Sequence, residues 1–514
     1  MRWNHWLTVS VVGLAVLQSP WSVIAGQLTI QGNRFFDAKS KEQYYIKGLI
    51  YQPNRTDERP WPDPLADSDA CERDVTYFQD LGVNTIRVYE TNNTADHTDC
   101  MQMLEDAGIN VFLDLKAVDT NNPSYDSDLL TDFVDKIEAF RSFSNFVGVF
   151  AGNQVVTNNE TTLAAVYNKA LIRDVKAYIT AQNLELVVGY ADGSNPQTAE
   201  NMLKYLNCGK KDDRVDFFAV NLHSWCGEDA NFENSGFKDA IANMTDLNFP
   251  MVLGEFGCDQ ERPQSFGEVG ALFGKEMVEV FSGGFASEYS EEGKNKTYGL
   301  VKIKARGVKT LDEFDILAEA YDNVKPKTVK FDEVKGSRKT SACPRVGPGW
   351  QSGQVLPKKP SPEACACLMD SFTCRIDLNS EEEPDLEDWQ SAYEDLCPPR
   401  KCSEVFDDAA NNIFGSWSMC PLDVKLSYAL NRNYTSSKNN DEKKCKARHV
   451  ETEEVKNPKT SNAKTCLKLR KDFVKEEKKE DSSTASGLSH ELQYQSWKGW
   501  VAMTFAIAFA AFVF

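Results

Sequence analysis

The sequence is short of cations: Lys and Arg number 57 against 77 Asp and Glu, for a formal net charge of -20. Phosphate backbones are held by clustered Lys and Arg, and the only basic cluster here lies in a tail of mixed sign, which argues against nucleic acid and permits a neutral polymer. No glycine-rich phosphate loop follows an early strand-like run, so a doubly wound nucleotide-binding sheet is disfavoured. No cysteine and histidine spacing suits zinc either. Cys365-Ala366-Cys367 has no His beside it, and neither a metal nor another cofactor is expected. Missing too is an apolar run of about 20 residues, the length a membrane-spanning helix needs.

What is present marks an exported chain. Arg2 and His5 precede the apolar stretch Leu7 to Leu17 and the small-residue site Val23-Ile24-Ala25, an export signal over residues 1–25. At the other end a stalk, 471–487, closes on the small residues Ser482 to Gly487. A polar spacer and the apolar Trp500 to Phe514 then make up residues 488–514. That order is a glycosylphosphatidylinositol attachment signal, with a single membrane helix as the alternative. Fourteen cysteines behind an export signal predict oxidised pairs, not reactive or metal-bound thiols. Sequons at Asn54, Asn92, Asn159, Asn243, Asn295 and Asn433 agree with that route.

Between these ends the sequence alternates short β-branched or aromatic runs with segments of helical period. The runs are Tyr45 to Gln52, Asn84 to Glu90, Asn110 to Lys116, Val147 to Gln154, Leu184 to Asp192, Val215 to Trp225, Pro250 to Cys258 and Gly283 to Tyr289. Helical stretches are expected over Cys71 to Leu81, Asp128 to Phe143, Thr162 to Gln182 and Gly267 to Phe281. Eight such units predict a closed α/β barrel of the (β/α)8 TIM type, placed at residues 26–343. Residues 344–362, rich in Pro, Gly and Lys, read as a linker. Residues 363–470 hold eight cysteines, the density of a small disulfide-stapled module.

Barrel enzymes act at the carboxyl ends of their strands. The fourth run closes with Phe150-Ala151-Gly152-Asn153-Gln154 and the seventh with Leu253-Gly254-Glu255-Phe256-Gly257-Cys258. Retaining glycosidases need two carboxyl groups about 5 to 5.5 Å apart across the scissile bond. With Lys47-Gly48-Leu49-Ile50-Tyr51-Gln52, Asn84-Thr85-Ile86-Arg87-Val88-Tyr89, Ile172-Arg173-Asp174-Val175 and Ser282-Gly283-Gly284, these motifs resemble the fungal β-1,3-glucanosyltransferases of glycoside hydrolase family 72. The resemblance runs over essentially the whole mature length.

The resemblance implies a retaining transglycosidase that cuts β-1,3-glucan, holds the new end on a Glu and passes it to another glucan. It implies a glycolipid-anchored place on the plasma membrane and cell wall, and a mainly helical carbohydrate-binding module after the barrel. Glu255 takes the nucleophile position. Asn153, Tyr51, Gln52, Arg87, Tyr89, Asp114, His223 and Tyr289 take substrate-binding positions, with packing at the barrel mouth as the alternative for each. The implied disulfides are Cys71–Cys100, Cys208–Cys343, Cys226–Cys258, Cys365–Cys420, Cys367–Cys466, Cys374–Cys445 and Cys397–Cys402.

One departure bears on chemistry. Where the family has Gly-Asn-Glu, this chain has Gly152-Asn153-Gln154, and an amide cannot exchange a proton with a glycosidic oxygen. His223 and Ser287 stand where the family commonly has Tyr. The expected activity is therefore an impaired glucanosyltransferase; the alternative is an inactive β-1,3-glucan-binding wall protein. His223, Glu160 and Glu288 are the weaker candidates for a substitute acid.

Overall fold

The computed structural model describes residues 27–469 except 57–58, 121–122, 194, 228, 243, 245–246, 248, 259, 293–297, 306, 336–339, 379–384, 399–400 and 460–464. The export signal, the stalk, the anchor tail and the sequons at Asn243 and Asn295 lie outside the described residues. No helix among the described residues is long and apolar enough to cross a membrane.

Eight parallel strands close into a barrel: β1 (Ile46–Ile50), β2 (Thr85–Val88), β3 (Asn110–Asp114), β4 (Phe146–Asn153), β5 (Val187–Asp192), β6 (Phe217–Leu222), β7 (Met251–Phe256) and β8 (Phe281–Ala286). They are hydrogen-bonded in the cyclic order β7-β8-β1-β2-β3-β4-β5-β6. Six lie inside an expected run, while β4 begins one residue before its run and β8 two residues before. Crossover helices cover the outside: α1 (Ser68–Asp80), α2 (Thr98–Asp106), α3 (Ser127–Phe140), α4 (Ala164–Ala181), α5 (Pro196–Asn207), α6 (Phe237–Ile241), α7 (Glu268–Leu272) and α8 (Asp312–Asn323). Asp67 and Asp126 begin α1 and α3 by accepting from backbone N–H groups of the first turn.

The interior is packed by aromatics. Phe112, Phe150, Phe217 and Phe285 are fully buried, with ring centroids 5.1 to 6.0 Å apart. Gly189 on β5 makes room for one of these rings, since a Cβ there would come within 2.2 Å of Phe217. Below them a small antiparallel sheet of Leu28–Gln31, Arg34–Asp37 and Gln43–Tyr44 closes the amino end of the barrel, where Phe35 meets Phe217 at 5.6 Å. The carboxyl end is left as the mouth.

One expectation is corrected. The helix expected over Gly267 to Phe281 stops at Leu272. Gly274 follows in the turn that ends it, where a Cβ would lie 2.4 Å from the Gly270 carbonyl, so this close approach requires glycine. Residues of the expected linker pack on the barrel. Trp350 and Ser352 are buried on the barrel, with Trp350 5.1 Å from the Tyr205 ring and Ser352 donating to the Thr162 carbonyl at 2.7 Å.

Beyond it, α9 (Pro362–Met369), α10 (Leu386–Leu396) and α11 (Leu422–Thr435) pack with two short two-stranded sheets. This module touches α3 and α4 through Ser127 N–H to the Met419 carbonyl at 3.1 Å and Tyr167 against Phe414. Cys71–Cys100, Cys208–Cys343, Cys226–Cys258, Cys365–Cys420, Cys374–Cys445 and Cys397–Cys402 are bonded as the resemblance implies. Cys367 and Cys466 are disulfide-bonded as well.

Candidate active site

The mouth is built on Arg87. From β2 its guanidinium lies 3.8 Å above the Phe150 ring, fully buried. It donates to both oxygens of Asp114 at the end of β3, at 2.7 and 2.6 Å, and to the Gly254 carbonyl at 3.0 Å. Burial works against its charge, and the bidentate carboxylate more than restores it, raising its pKa. A fixed cation therefore sits between the phenylalanine core and the carboxylate above.

That carboxylate is Glu255, on β7. Tyr89 donates to its Oε1 at 2.8 Å, Asn153 Nδ2 lies 3.4 Å from the same oxygen, and the Arg87 guanidinium stands 3.9 Å away. His223 Nε2, past the end of β6, is 3.3 Å from Oε2. Burial alone would raise the Glu255 carboxyl. The His223 hydrogen bond, the Arg87 and His223 charges and the Tyr89 hydroxyl overcome it and hold the group at about 2. Glu255 is thus ionised at any physiological pH. Tyr89, pushed well above 10 by burial and by the Glu255 charge, stays a hydroxyl donor.

His223 is held from both sides, because its Nδ1 lies 3.1 Å from the Gly257 carbonyl while Nε2 faces Glu255. Both ring nitrogens thus face acceptors. Its ring also lies 5.5 Å from Tyr298.

Asn153 reaches Glu255 because β4 ends irregularly. The register with β5 shifts between Phe150 and Asn153, and Gly152 takes φ 134°, where a Cβ would be 2.7 Å from Asn168 Nδ2. Asn221 then donates to Asn153 Oδ1 at 3.2 Å. Gln154 follows with φ 50°, its N–H bonded to the Ala191 carbonyl at 2.9 Å and its exposed amide beside Gly193.

Three of the expected substrate-binding residues do not face the cleft. Tyr51 and Tyr289 are fully buried against α1, donating to the two oxygens of Asp74 at 3.0 and 2.6 Å. Asp74 is itself buried on the apolar face of α1, so it takes these hydroxyls as partners and turns both rings outward. Gln52 is buried too, and it spends its amide on Pro62, Tyr89 and Glu90 backbone groups. It braces the loops after β1 and β2.

Sequence reasoning missed the wall beside Glu255. Trp61 lies 6.3 Å from the Tyr89 ring, and the Arg55 guanidinium covers both, 5.2 Å from Trp61 and 5.8 Å from Tyr89. Arg55 also hydrogen-bonds Glu288 just past β8. Burial pushes the Glu288 carboxyl up to about 7 against the pull of Arg55. Glu160 lies on an exposed turn after β4.

A family model described as a glucanosyltransferase matches residues 22–325, and one described as an X8 domain matches residues 373–452. The chain is 34% identical over 436 residues to the 1,3-beta-glucanosyltransferase GAS2 of Saccharomyces cerevisiae, covering 80% of this chain and 77% of that protein. It is 34% identical over 420 residues to the 1,3-beta-glucanosyltransferase gas1 of Schizosaccharomyces pombe, covering 78% and 75%. Among solved structures, a Glu-to-Gln mutant of Saccharomyces cerevisiae Gas2p in complex with laminaritetraose and laminaripentaose is similar at TM-score 0.77 and 32% identity, over 88% of this chain and 100% of that one.

Proposed function

The chain belongs to the glucanosyltransferase family, glycoside hydrolase family 72, and from that premise we propose that it binds β-1,3-glucan and transfers it only slowly. Glu255 is the nucleophile, Asn153, Tyr89, Arg87, Asp114 and His223 shape the donor site, and the module at 363–470 adds carbohydrate contact. The observation that carries the reading is an asymmetry in charge. One carboxylate is held ionised by donors at 2.8, 3.3 and 3.4 Å, while the residue after Asn153, where the family motif has Glu, is a neutral amide. Attack is provided for and proton transfer is not. The Gas2p mutant bound to two laminari-oligosaccharides supports the idea that such a site still accepts glucan.

Calorimetry with laminaripentaose and chromatography of transfer products test this together. The expected result is binding, with transfer at least about 100-fold slower than in an active relative, the lower end of what a lost acid/base costs. Transfer at a relative's rate that Glu255→Gln abolishes would show that another group moves the proton. Binding without any transfer selects the glucan-binding protein, and absence of binding overturns the reading.

The export signal and anchor tail support a glycolipid-anchored place on the outer face of the plasma membrane and in the cell wall. Treatment of membranes with a phosphatidylinositol-specific phospholipase is then expected to release the protein. Finding Trp500 to Phe514 in the mature polypeptide by mass spectrometry would rule the anchor out.

A further inference from the structure

The first glycosyl-transfer step needs a nucleophile and a route for the electron pair of the departing oxygen. Glu255 supplies the nucleophile. For a sugar hydroxyl the electron pair must be met by a proton, and the described carboxyls near the mouth are paired, buried away from the cleft or held on an exposed turn. Asp114 is bridged by Arg87, and Glu288 is buried under Arg55. Glu268 and Asp192 are each 1% exposed, the first on α7 and the second at the end of β5. Glu160 lies on the exposed turn after β4, its N–H bonded to Asn158. Gln154 itself is exposed beside Gly193 and has no proton to give.

The contacts on Glu255 make the two half-reactions unequal. Tyr89, Asn153 and His223 together stabilise the carboxylate, with Arg87 3.9 Å behind it. A carboxylate so stabilised attacks weakly and departs readily. The His223 ring nitrogen 3.3 Å from Oε2 in particular favours the return of charge to that oxygen when the glycosyl ester breaks. Departure of Glu255 is therefore helped, while the first step is left to the reactivity of the donor and the second still waits on an acceptor that needs no base.

Resting on the reading above that the cleft binds β-1,3-glucan, we infer that the substrates this site turns over are laminari-oligosaccharides with an anomeric group that leaves unprotonated, as a stabilised anion. In the first step a Glu255 oxygen bonds to the anomeric carbon as the bond from that carbon to the aglycone oxygen breaks. The aglycone takes the electron pair away. In the second step an incoming anion bonds to the same carbon and Glu255 regains the ester electron pair. No proton moves in either step. An amide at 154 also puts no negative charge in the path of that anion, as a carboxylate would.

Dinitrophenyl β-laminaribioside and sodium azide are the probes for the full glycosylated chain. A burst of dinitrophenolate is expected, with one laminaribiosyl group on the peptide containing Glu255. Azide should speed turnover and give the β-configured glycosyl azide, and laminaripentaose should react at least about 1,000-fold more slowly than the activated donor. Glu255→Gln should lose the burst while still binding laminaripentaose by calorimetry, which establishes that the variant is folded. A burst that survives Glu255→Gln, no burst in a protein that binds laminaripentaose, or equal rates on the two donors would each overturn the inference. A protein that binds no laminaripentaose at all would instead overturn the glucan-binding reading beneath it.

Discussion

Gln154→Glu is expected to raise laminari-oligosaccharide transfer by about 100-fold to 10,000-fold, the range a positioned acid/base supplies. The backbone at 154 needs no change to accept the substitution. Its N–H stays bonded to Ala191, and the new carboxyl takes the place of an exposed amide beside Gly193. The side chain enters water at the mouth, so it is free to carry a proton to the leaving oxygen and to take one from the acceptor hydroxyl. Recovery should remain incomplete for two reasons visible in the site. His223 faces Oε2 of Glu255 with a ring nitrogen where the resemblance implies a phenol, and Ser287 is a short buried side chain where it implies another. Chromatography of products from a reduced laminari-oligosaccharide acceptor measures the change. An unaltered rate would mean that position 154 does not face the leaving group.

Much of this architecture was legible because barrel strands announce themselves. Runs such as Val147 to Gln154 are apolar on both faces, since one face meets the phenylalanine core and the other meets helices. The Gly-Glu-Phe-Gly-Cys motif also located a carboxylate at a strand end, and Glu255 lies at the mouth with the partners a low pKa requires. Side-chain direction at the strand ends was not legible. Tyr51 and Tyr89 look equivalent in sequence, one just past β1 and the other just past β2, yet Tyr89 donates to Glu255 and Tyr51 to Asp74. The signal that separates them is the acid on the apolar face of α1. Ala70, Cys71, Asp74, Val75 and Phe78 are all buried there, and a buried acid must find donors. The wall of Arg55 and Trp61 escaped notice for a different reason. It belongs to the irregular loop after β1, where neither period applies, and its geometry depends on Tyr89 and Glu288 from other units.

Stability should peak at mildly acidic pH and fall as the pH rises toward 8. Three buried carboxyls set this direction: burial pushes Glu268 and Glu288 up to about 7 and Asp192 up to about 8. Among the described residues Glu268 finds no hydrogen-bond partner beyond its own residue, and Asp192 Oδ2 finds none. In the unfolded chain all three titrate at about 4. Between about 4 and 8 the folded protein therefore binds more protons than the unfolded one, and stability decreases with pH. Their contribution is fully present below the unfolded pKa and is lost as the pH rises through the folded values. Glu255 acts in the opposite sense: held at about 2, it adds stability above the unfolded carboxyl range that is lost as the pH falls through 2. The two trends leave the maximum near pH 4 to 5, by order of magnitude several kcal/mol above pH 8 at about 1.4 kcal/mol per pKa unit. Thermal melts across that range should register a Tm lower by at least about 5 °C at pH 8 than at pH 5. Asp192→Asn and Glu268→Gln, which keep the neutral shape and remove the titration, should flatten the curve and raise the melting temperature at pH 8. A Tm that is level or rising from pH 5 to 8, or variants that melt with the slope of the parent chain, would mean that these carboxyls are ionised in the folded state.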